Sequence, residues 1–240
     1  SKLLAERGLC SRREADAWVR EGRVTVNGSV EGEPGTLVDP REDHIKIDGR
    51  RLPGLPRSRF LMMFKPRGYL VTRSDPEGRR TVQDLLPKMR ERVDPVGRLD
   101  LQTEGLLLLT NDGDYAQRMA HPSYEVDKTY VAEVEGEVFP RTLKQLKEGV
   151  ELDDGPVAVS SVKVVAGRHG RNQPGRSVVE LVIHEGRNRI VRRLLAHVGH
   201  PVKQLTRTRI GPVQLGRLGV GEIRDLTSEE LGLLLDSAQL

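Results

Sequence analysis

The stretch Val96-Gly97-Arg98-Leu99-Asp100-Leu101-Gln102-Thr103-Glu104-Gly105-Leu106-Leu107-Leu108-Leu109-Thr110-Asn111-Asp112-Gly113 decides how this chain is read. Leu106 to Thr110 is a short apolar run closed by Asn-Asp-Gly, the pattern of a buried strand that ends in a tight turn. Asp100 therefore falls on an irregular connection held by a rigid strand, where a reactive side chain can be fixed and still be reached. That makes it a candidate nucleophile. Its neighbours also suit a turn- or helix-capping aspartate, and the stretch by itself leaves both roles open.

The chain has 240 residues, enough for one sizeable core or for a small module beside a larger one. Its 39 Lys and Arg against 35 Asp and Glu give a net charge of only +4, with a pI near 9.3. Overall charge thus points only weakly to a polyanionic partner. Distribution says more: residues 187–217 hold Arg187, Arg189, Arg192, Arg193, Lys203, Arg207, Arg209 and Arg217 and no acidic residue, the pattern of an interaction surface. A single cysteine, Cys10, excludes an intramolecular disulfide and leaves too few thiols for a cysteine zinc site. No apolar run approaches the roughly 18 residues that would cross a bilayer, so a soluble, cytoplasmic protein without membrane contact is expected. The first residue is Ser, which suggests a trimmed N-terminus.

Ser11-Arg12-Arg13-Glu14 fits a capping box ahead of Ala15, Trp18 and Val19 at helical spacing, with the helix ending near Gly22. Arg23 to Gly28 alternates and closes on Asn-Gly, a hairpin signal, and His44 to Gly49 repeats the pattern. Residues 1–49 therefore read as a small module of short helices and strands. Arg12 and Arg13 stand at the start of its capped helix, where free amides also favour phosphate; balance by nearby acidic residues is the plainer reading of these charges alone. Residues 50–59, with Pro53, Gly54, Pro56 and four arginines, read as a stiffened linker. Residues 60–240 form the larger domain. In it, strands are expected over Phe60–Phe64, with Tyr69–Thr72 as partner, and over Leu106–Thr110, Thr129–Glu135 and Ser177–Ile183. Helices are expected near Val82–Leu86, Tyr115–Ala120, Arg141–Lys147, Arg189–Val198 and Ser228–Leu235. Strands separated by short helices, without a βαβ repeat, give an α+β class with a largely antiparallel central sheet.

The stretch from Gly97 to Gly113 matches every fixed position of G-R-L-D-x-x-T-x-G-L-L-L-L-T-N-D-G, and the chain is identified as resembling the RsuA/RluB-type pseudouridine synthases that modify ribosomal RNA. The resemblance implies that Asp100 is the catalytic residue. It implies that Arg192, in Glu185-Gly186-Arg187-Asn188-Arg189-Ile190-Val191-Arg192-Arg193-Leu194, pairs with that aspartate, and that Tyr130, in Lys128-Thr129-Tyr130, stacks on the target base. Helical spacing independently places Arg192 and Arg193 at the edges of an apolar stripe of Ile190, Val191, Leu194, Leu195 and Val198; arginines there also serve simply to snorkel from a core helix. A tyrosine in a strand likewise packs in cores, although only 3% of this chain is aromatic and stacking platforms are few. Arg98 is expected to fill the space of a flipped nucleotide or contact a phosphate. Lys65-Pro66 resembles the family's first motif and is expected to support the site wall. Arg12, Arg13, Lys65, Arg187, Arg189 and Arg193 complete the expected RNA contacts.

Leu9 to Ala15, followed by Gly22 to Gly28, resembles the S-four-type RNA-binding module, also called αL. Ser74 to Val82, Leu152 to Pro156 and Glu185 to Arg189 resemble most the RluB-type enzymes of large-subunit RNA. The reaction implied is isomerisation of a uridine to pseudouridine, needing no cofactor and no metal, on ribosomal RNA or a pre-ribosomal particle, by a monomer. Small-subunit RNA or tRNA as substrate, and a non-catalytic clamp in ribosome assembly, remain open alternatives. Of the six histidines none stands at ligand spacing, and Asp112-Gly113-Asp114 and Asp153-Asp154-Gly155 read as turns rather than calcium loops.

Overall fold

The structure, a computed structural model, describes residues 1–120, 126–165 and 175–237. His121 and His169, two of the six histidines, lie outside the described residues. The chain divides into two compact units, one of Ser1–Arg59 with Met89–Val93 and Asn111–Gly113, the other comprising the rest.

In the first unit, helices α1 (Lys2–Glu6) and α2 (Arg12–Arg20) precede strands β1 (Val24–Val26), β2 (Ser29–Val30), β3 (Ile45–Ile47) and β4 (Arg50–Arg51). The capping box is present in full: the Ser11 side chain accepts from the Glu14 amide and the Glu14 carboxylate accepts from the Ser11 amide. The hairpin of β1 and β2 closes on Asn27 and Gly28, both in the left-handed region that this two-residue turn demands. The sheet runs β2-β1-β3-β4 and covers a small core of Leu4, Cys10, Ala15, Val19, Val24 and Ile45. Arg50 and Arg51, expected to open the linker, instead pair with β3. Arg12 and Arg13 are exposed at the first turn of α2.

The second unit contains β5 (Phe60–Lys65), β6 (Asp94–Val96), β7 (Glu104–Thr110), α3 (Gly113–Ala120), β8 (Lys128–Glu135), α4 (Pro140–Glu148), β9 (Val150–Leu152) and β10 (Gly155–Val157). After these come β11 (Ser161–Val165), β12 (Arg176–Ile183), α5 (Ile190–His197), β13 (Val202–Ile210), β14 (Val213–Gln214), β15 (Ile223–Asp225) and α6 (Ser228–Ser237). The main sheet runs β11-β12-β8-β13-β7-β5-β15, with β14 beside β13 and β6 beside β7. Every pairing in it is antiparallel except one: β7 and β13 meet in parallel, Glu104 opposite Thr206 and Gly105 opposite Arg207. β7 is buried along its whole length, as an apolar run at the middle of a sheet requires.

Three expectations need correction. Tyr69–Thr72 is not the partner of β5, whose neighbours are β7 and β15; Leu70 makes only an isolated bridge to Thr81. The helical stretch expected near Val82–Leu86 is present as a short 3-10 helix, Val82–Leu85. Asp112-Gly113-Asp114 leads directly into α3. The basic stretch from 187 contains a central strand, β13, whose residues Leu205, Thr206 and Arg207 are buried, so it is not a surface throughout. Its polar composition hid the strand, because two of its buried positions are filled by Thr206 and Arg207 beside the apolar Leu205 and Ile210.

The parallel seam depends on Gly105. A Cβ at this position would stand 2.2 Å from the Arg207 carbonyl oxygen and 2.6 Å from its nitrogen, and φ is +114°. Both the contact and the backbone conformation exclude any side chain. Gly105→Ala is expected to cost about 3 kcal/mol or more of unfolding free energy, read as a drop in the urea midpoint; an unchanged midpoint would show that the strands can part without loss.

Candidate active site

Asp100 stands in the connection from β6 to β7, and the main chain of that connection is fixed by three cations from three different elements. Lys65, at the end of β5, is fully buried and donates its Nζ to the carbonyls of Pro66 (3.0 Å), Asp100 (3.2 Å) and Thr103 (2.8 Å). Arg192 of α5 donates Nη2 to the Gln102 carbonyl (2.8 Å) and Nη1 to the Val202 carbonyl (3.3 Å). Arg207 of β13 donates Nε to the Leu106 carbonyl (2.8 Å) and Nη1 to the Arg98 carbonyl (3.5 Å). The Gly68 amide takes the Leu101 carbonyl (2.8 Å), and the Thr103 amide closes a turn on Asp100 (3.0 Å). The carbonyls of Arg98, Asp100, Leu101, Gln102 and Thr103 are thereby engaged, while the Asp100 carboxylate forms no hydrogen bond or ion pair with a described residue.

The expected ion pair between Arg192 and Asp100 is therefore not formed. Arg192 is close enough for Asp100 to favour its charge, but burial outweighs this and draws its pKa down. Its Nη1 and Nη2 donate to the main chain, and its Nε is buried without a partner among the described residues. Lys65, expected among the RNA contacts, is likewise sealed from solvent and acts inside the fold.

A register row crosses the sheet through Leu181, Tyr130, Arg207, Gly105 and Lys65. Directly paired residues share a face, so Tyr130, Arg207 and Lys65 project together, and the missing side chain of Gly105 lets the Arg207 main chain approach β7. This face and the Asp100 loop enclose a cavity of about 590 Å³, lined among others by Arg98, Asp100, Lys128, Tyr130, Arg189 and Arg207, a size in the range of ligand pockets. Asp100, Tyr130, Arg98, Arg187 and Arg189 are thus gathered about one space. Arg98 and Arg189 are exposed. Arg189 adopts a left-handed conformation, φ 50°, at the start of α5, an unusual backbone for a residue with a side chain.

Arg187 and Arg193, expected to face RNA, are committed within the protein. Arg187 donates to the Asp154 carboxylate (3.0 Å), to the Gly155 (3.1 Å) and Pro156 (2.7 Å) carbonyls and to Glu185 (3.0 Å). Arg193 bridges the Asn188 carbonyl (2.9 Å) and Asp154 (2.7 Å). The Arg193 guanidinium beside Asp154 holds its carboxyl below the usual range. Asp153-Asp154, correctly read as a turn, is the tip of the β9–β10 hairpin, and it neutralises arginines that no acid within residues 187–217 compensates.

Three participants escaped sequence reasoning: Arg207, Lys128 and Asp154. Lys128 donates to the carbonyls of Val126 (2.9 Å) and His184 (3.3 Å), and burial, with Arg207 nearby, pulls its pKa down to about 8. Only Gly105 signalled a close backbone approach, without naming what approaches. Ser160 and Asp127 both face Nδ1 of His184, at 3.1 and 3.6 Å; a relay from serine to carboxylate needs opposite ring nitrogens, so these three do not form one. Among the described residues no group of three or more His, Cys, Asp or Glu is placed to hold a metal ion, and no helix is long and apolar enough to cross a membrane.

Fold and site together define an enzyme built on an antiparallel sheet with an aspartate at a cavity in its middle. The family described as RNA pseudouridylate synthase matches residues 59–197, and the S4 domain matches residues 1–45. The chain belongs to the RNA pseudouridine synthases. It is similar to an "uncharacterized RNA pseudouridine synthase" of Aquifex aeolicus, 43% identical over 242 residues that cover 100% of this chain and 94% of the relative. It is also similar to "ribosomal large subunit pseudouridine synthase B" of Bacillus subtilis, 40% identical over 96% of this chain and 92% of the relative. Among solved structures, a pseudouridylate synthase crystal structure aligns with a TM-score of 0.67 and 28% identity over 97% of each chain.

Two outcomes are expected from the cations. Arg192→Ala releases the Gln102 carbonyl, and because a misplacement near 1 Å costs about 100-fold, its single-turnover rate should fall by 10- to 100-fold; a normal rate would mean the loop holds its shape without that bond. Burial pulls Lys65 from 10.5 to about 8, with Asp100 and Glu104 opposing and Arg207 adding to the shift. Between these values the unfolded chain holds a proton that the folded chain has released, so the Lys65 contribution to stability is fully present above pH 10.5 and is lost as pH falls through 8. From pH 7.5 to 10, unfolding free energies of wild type and Lys65→Met should therefore diverge in favour of wild type by about 2 kcal/mol. A constant difference would mean an ordinary lysine.

Proposed function

We propose that this protein isomerises a uridine of large-subunit ribosomal RNA to pseudouridine, with Asp100 as its catalytic residue. The observation that carries this reading is the free carboxylate of Asp100 on a loop whose main chain is fixed by Lys65, Arg192 and Arg207, facing a cavity it shares with Tyr130. A carboxylate without a hydrogen-bond or ion-pair partner among the described residues, on a rigid support, is available to the substrate. The large-subunit assignment rests on the Bacillus subtilis relative and its name.

In the reaction the bond between C1′ and N1 breaks, the base turns, C5 joins C1′, and a proton leaves C5 while another is taken up at N1. Atoms and electrons balance within the nucleotide, so the isomerisation consumes no oxidant, reductant or acceptor. Asp100 acts either as nucleophile or as the base that removes a ribose proton after cleavage, and both roles require its ionised form. The uridine reaches the cavity by leaving its stack, Tyr130 offers a face for the base, and the exposed Arg98 and Arg189 lie where its phosphates would pass. Arg12 and Arg13, at the capped start of α2, supply a sequence-independent backbone contact. The protein works as a monomer in the cytoplasm on ribosomal RNA or a pre-ribosomal particle.

Site-resolved pseudouridine mapping of ribosomal RNA tests this in cells lacking the protein, complemented with wild type or Asp100→Asn. The expected result is one large-subunit site lost on deletion and restored only by wild type, with Asp100→Asn binding RNA as tightly as wild type. A map that does not change on deletion would favour a clamp in ribosome assembly, and restoration by Asp100→Asn would remove Asp100 from the chemistry.

A further inference from the structure

We propose that Arg207 is a second catalytic residue, whose Nη2 donates a hydrogen bond to a carbonyl oxygen of the target uracil and stabilises the negative charge the base acquires as its bond to ribose breaks. The inference rests on the reading of the protein as a uridine isomerase and adds to that reading a group for the leaving base.

Four observations lead here. Arg207 is 3% exposed yet lines the cavity, on the sheet face it shares with Tyr130. Its Nε and Nη1 are fixed on the carbonyls of Leu106 and Arg98, while Nη2 is buried with no partner among the described residues. A buried donor left without an acceptor is costly and uncommon, and here it belongs to a side chain that borders a ligand-sized space. The charges at the site are also unequal. Lys65, Arg192 and Arg207 hold the loop and Lys128 lines the cavity beside it, whereas the buried Glu104 is engaged by Gln204 (2.7 Å) and Thr206 (2.9 Å); of the two carboxylates that line the cavity, Glu185 is taken up by Arg187 (3.0 Å) and Asp100 alone is unpaired among the described residues. The positive field of Arg207 reaches Lys65 and Lys128, drawing both pKa values down further than burial alone would. The cavity floor therefore carries surplus positive charge suited to an anion.

Position decides which anion. A phosphodiester stays near the surface, where Arg98 and Arg189 are exposed; Arg207 lies deep, beside the tyrosine face on which the base would rest. When the C1′–N1 bond breaks, its electron pair remains with the uracil and spreads over N1 and the ring carbonyl oxygens. A preoriented guanidinium N–H in a water-poor cavity stabilises such charge as it develops. The charge is discharged when C5 bonds to C1′ and N1 takes up a proton, and Arg207 itself neither gains nor loses a proton.

The test is single-turnover pseudouridine formation on a ribosomal RNA transcript that the wild-type protein modifies. Arg207→Gln is expected to slow the chemical step by about 100-fold or more with RNA affinity unchanged. Arg207→Lys keeps the charge but loses the fixed fork of donors, and it should also be slow. Transcripts carrying 2-thiouridine or 4-thiouridine at the target, where sulfur is a poor acceptor, provide a measurement on the unaltered protein: one of them should react at least 10-fold more slowly with wild type and show no further loss with Arg207→Lys. Wild-type rates for Arg207→Gln, full reactivity of both thio substrates, or a loss that appears in RNA affinity alone would overturn the role of Arg207. Absence of product with wild type on any ribosomal transcript would overturn the uridine-isomerase reading and this one with it.

Discussion

Buried cations usually answer buried carboxylates, but at this site they answer main-chain carbonyls. Lys65, Arg192 and Arg207 arrive from β5, α5 and β13 and together hold the carbonyls of Arg98, Asp100, Gln102 and Thr103. A short irregular loop next to a buried strand lacks the ladder that would pair its carbonyls with amides, and without these donors its desolvated backbone would be unstable. The cations meet that need and in return are compensated by several carbonyl dipoles rather than one charge. The consequence for function is separation of tasks: the aspartate's backbone is immobilised while its carboxylate is left to the substrate.

That arrangement is possible only because the sheet changes direction at the site. β7 and β13 meet in parallel over two residue pairs, in a sheet that is otherwise antiparallel, and a glycine lets the chains approach there. Gly105 permits the contact and stands at the start of β7, directly after the loop that carries Asp100. One residue thus joins the requirements of packing, of cation placement and of the reactive connection. A second layer of organisation surrounds it: Asp154, at the tip of the β9–β10 hairpin, collects Arg187 and Arg193 and so shapes the segment 185–189 that forms part of the cavity wall.

Much of this was legible in sequence where the signal was local. The capping box at Ser11, the hairpin at Asn27-Gly28, the apolar strand β7 and the alternation in β8 and β12 each follow from neighbours a few residues apart. The gathering of Asp100, Tyr130 and Arg98 at one cavity was legible through the resemblance of their motifs. What escaped were the pairings across distance. The stretch 187–217 looked like uncompensated positive charge because its partners, Asp154, Glu185 and Glu135, lie outside it. Arg192 was expected on Asp100 and instead holds the carbonyl two residues further on. Tyr69–Thr72 had strand-like composition, but β7 and β15 already occupied both edges of β5.

The sequence by itself determined the family, the α+β class, the strand that carries the reactive loop and the residue types from which the site is made, because these depend on periodicity, turn chemistry and contiguous motifs. Only the tertiary structure decided what each cation does. Whether a lysine or arginine meets solvent, a carboxylate or a carbonyl is set by which strands are adjacent and in what register, and register is a cooperative outcome of the whole sheet. Lys65, Arg192 and Arg207 are three basic residues among 39 in the sequence; in the folded chain they are the fixed points about which Asp100 is placed.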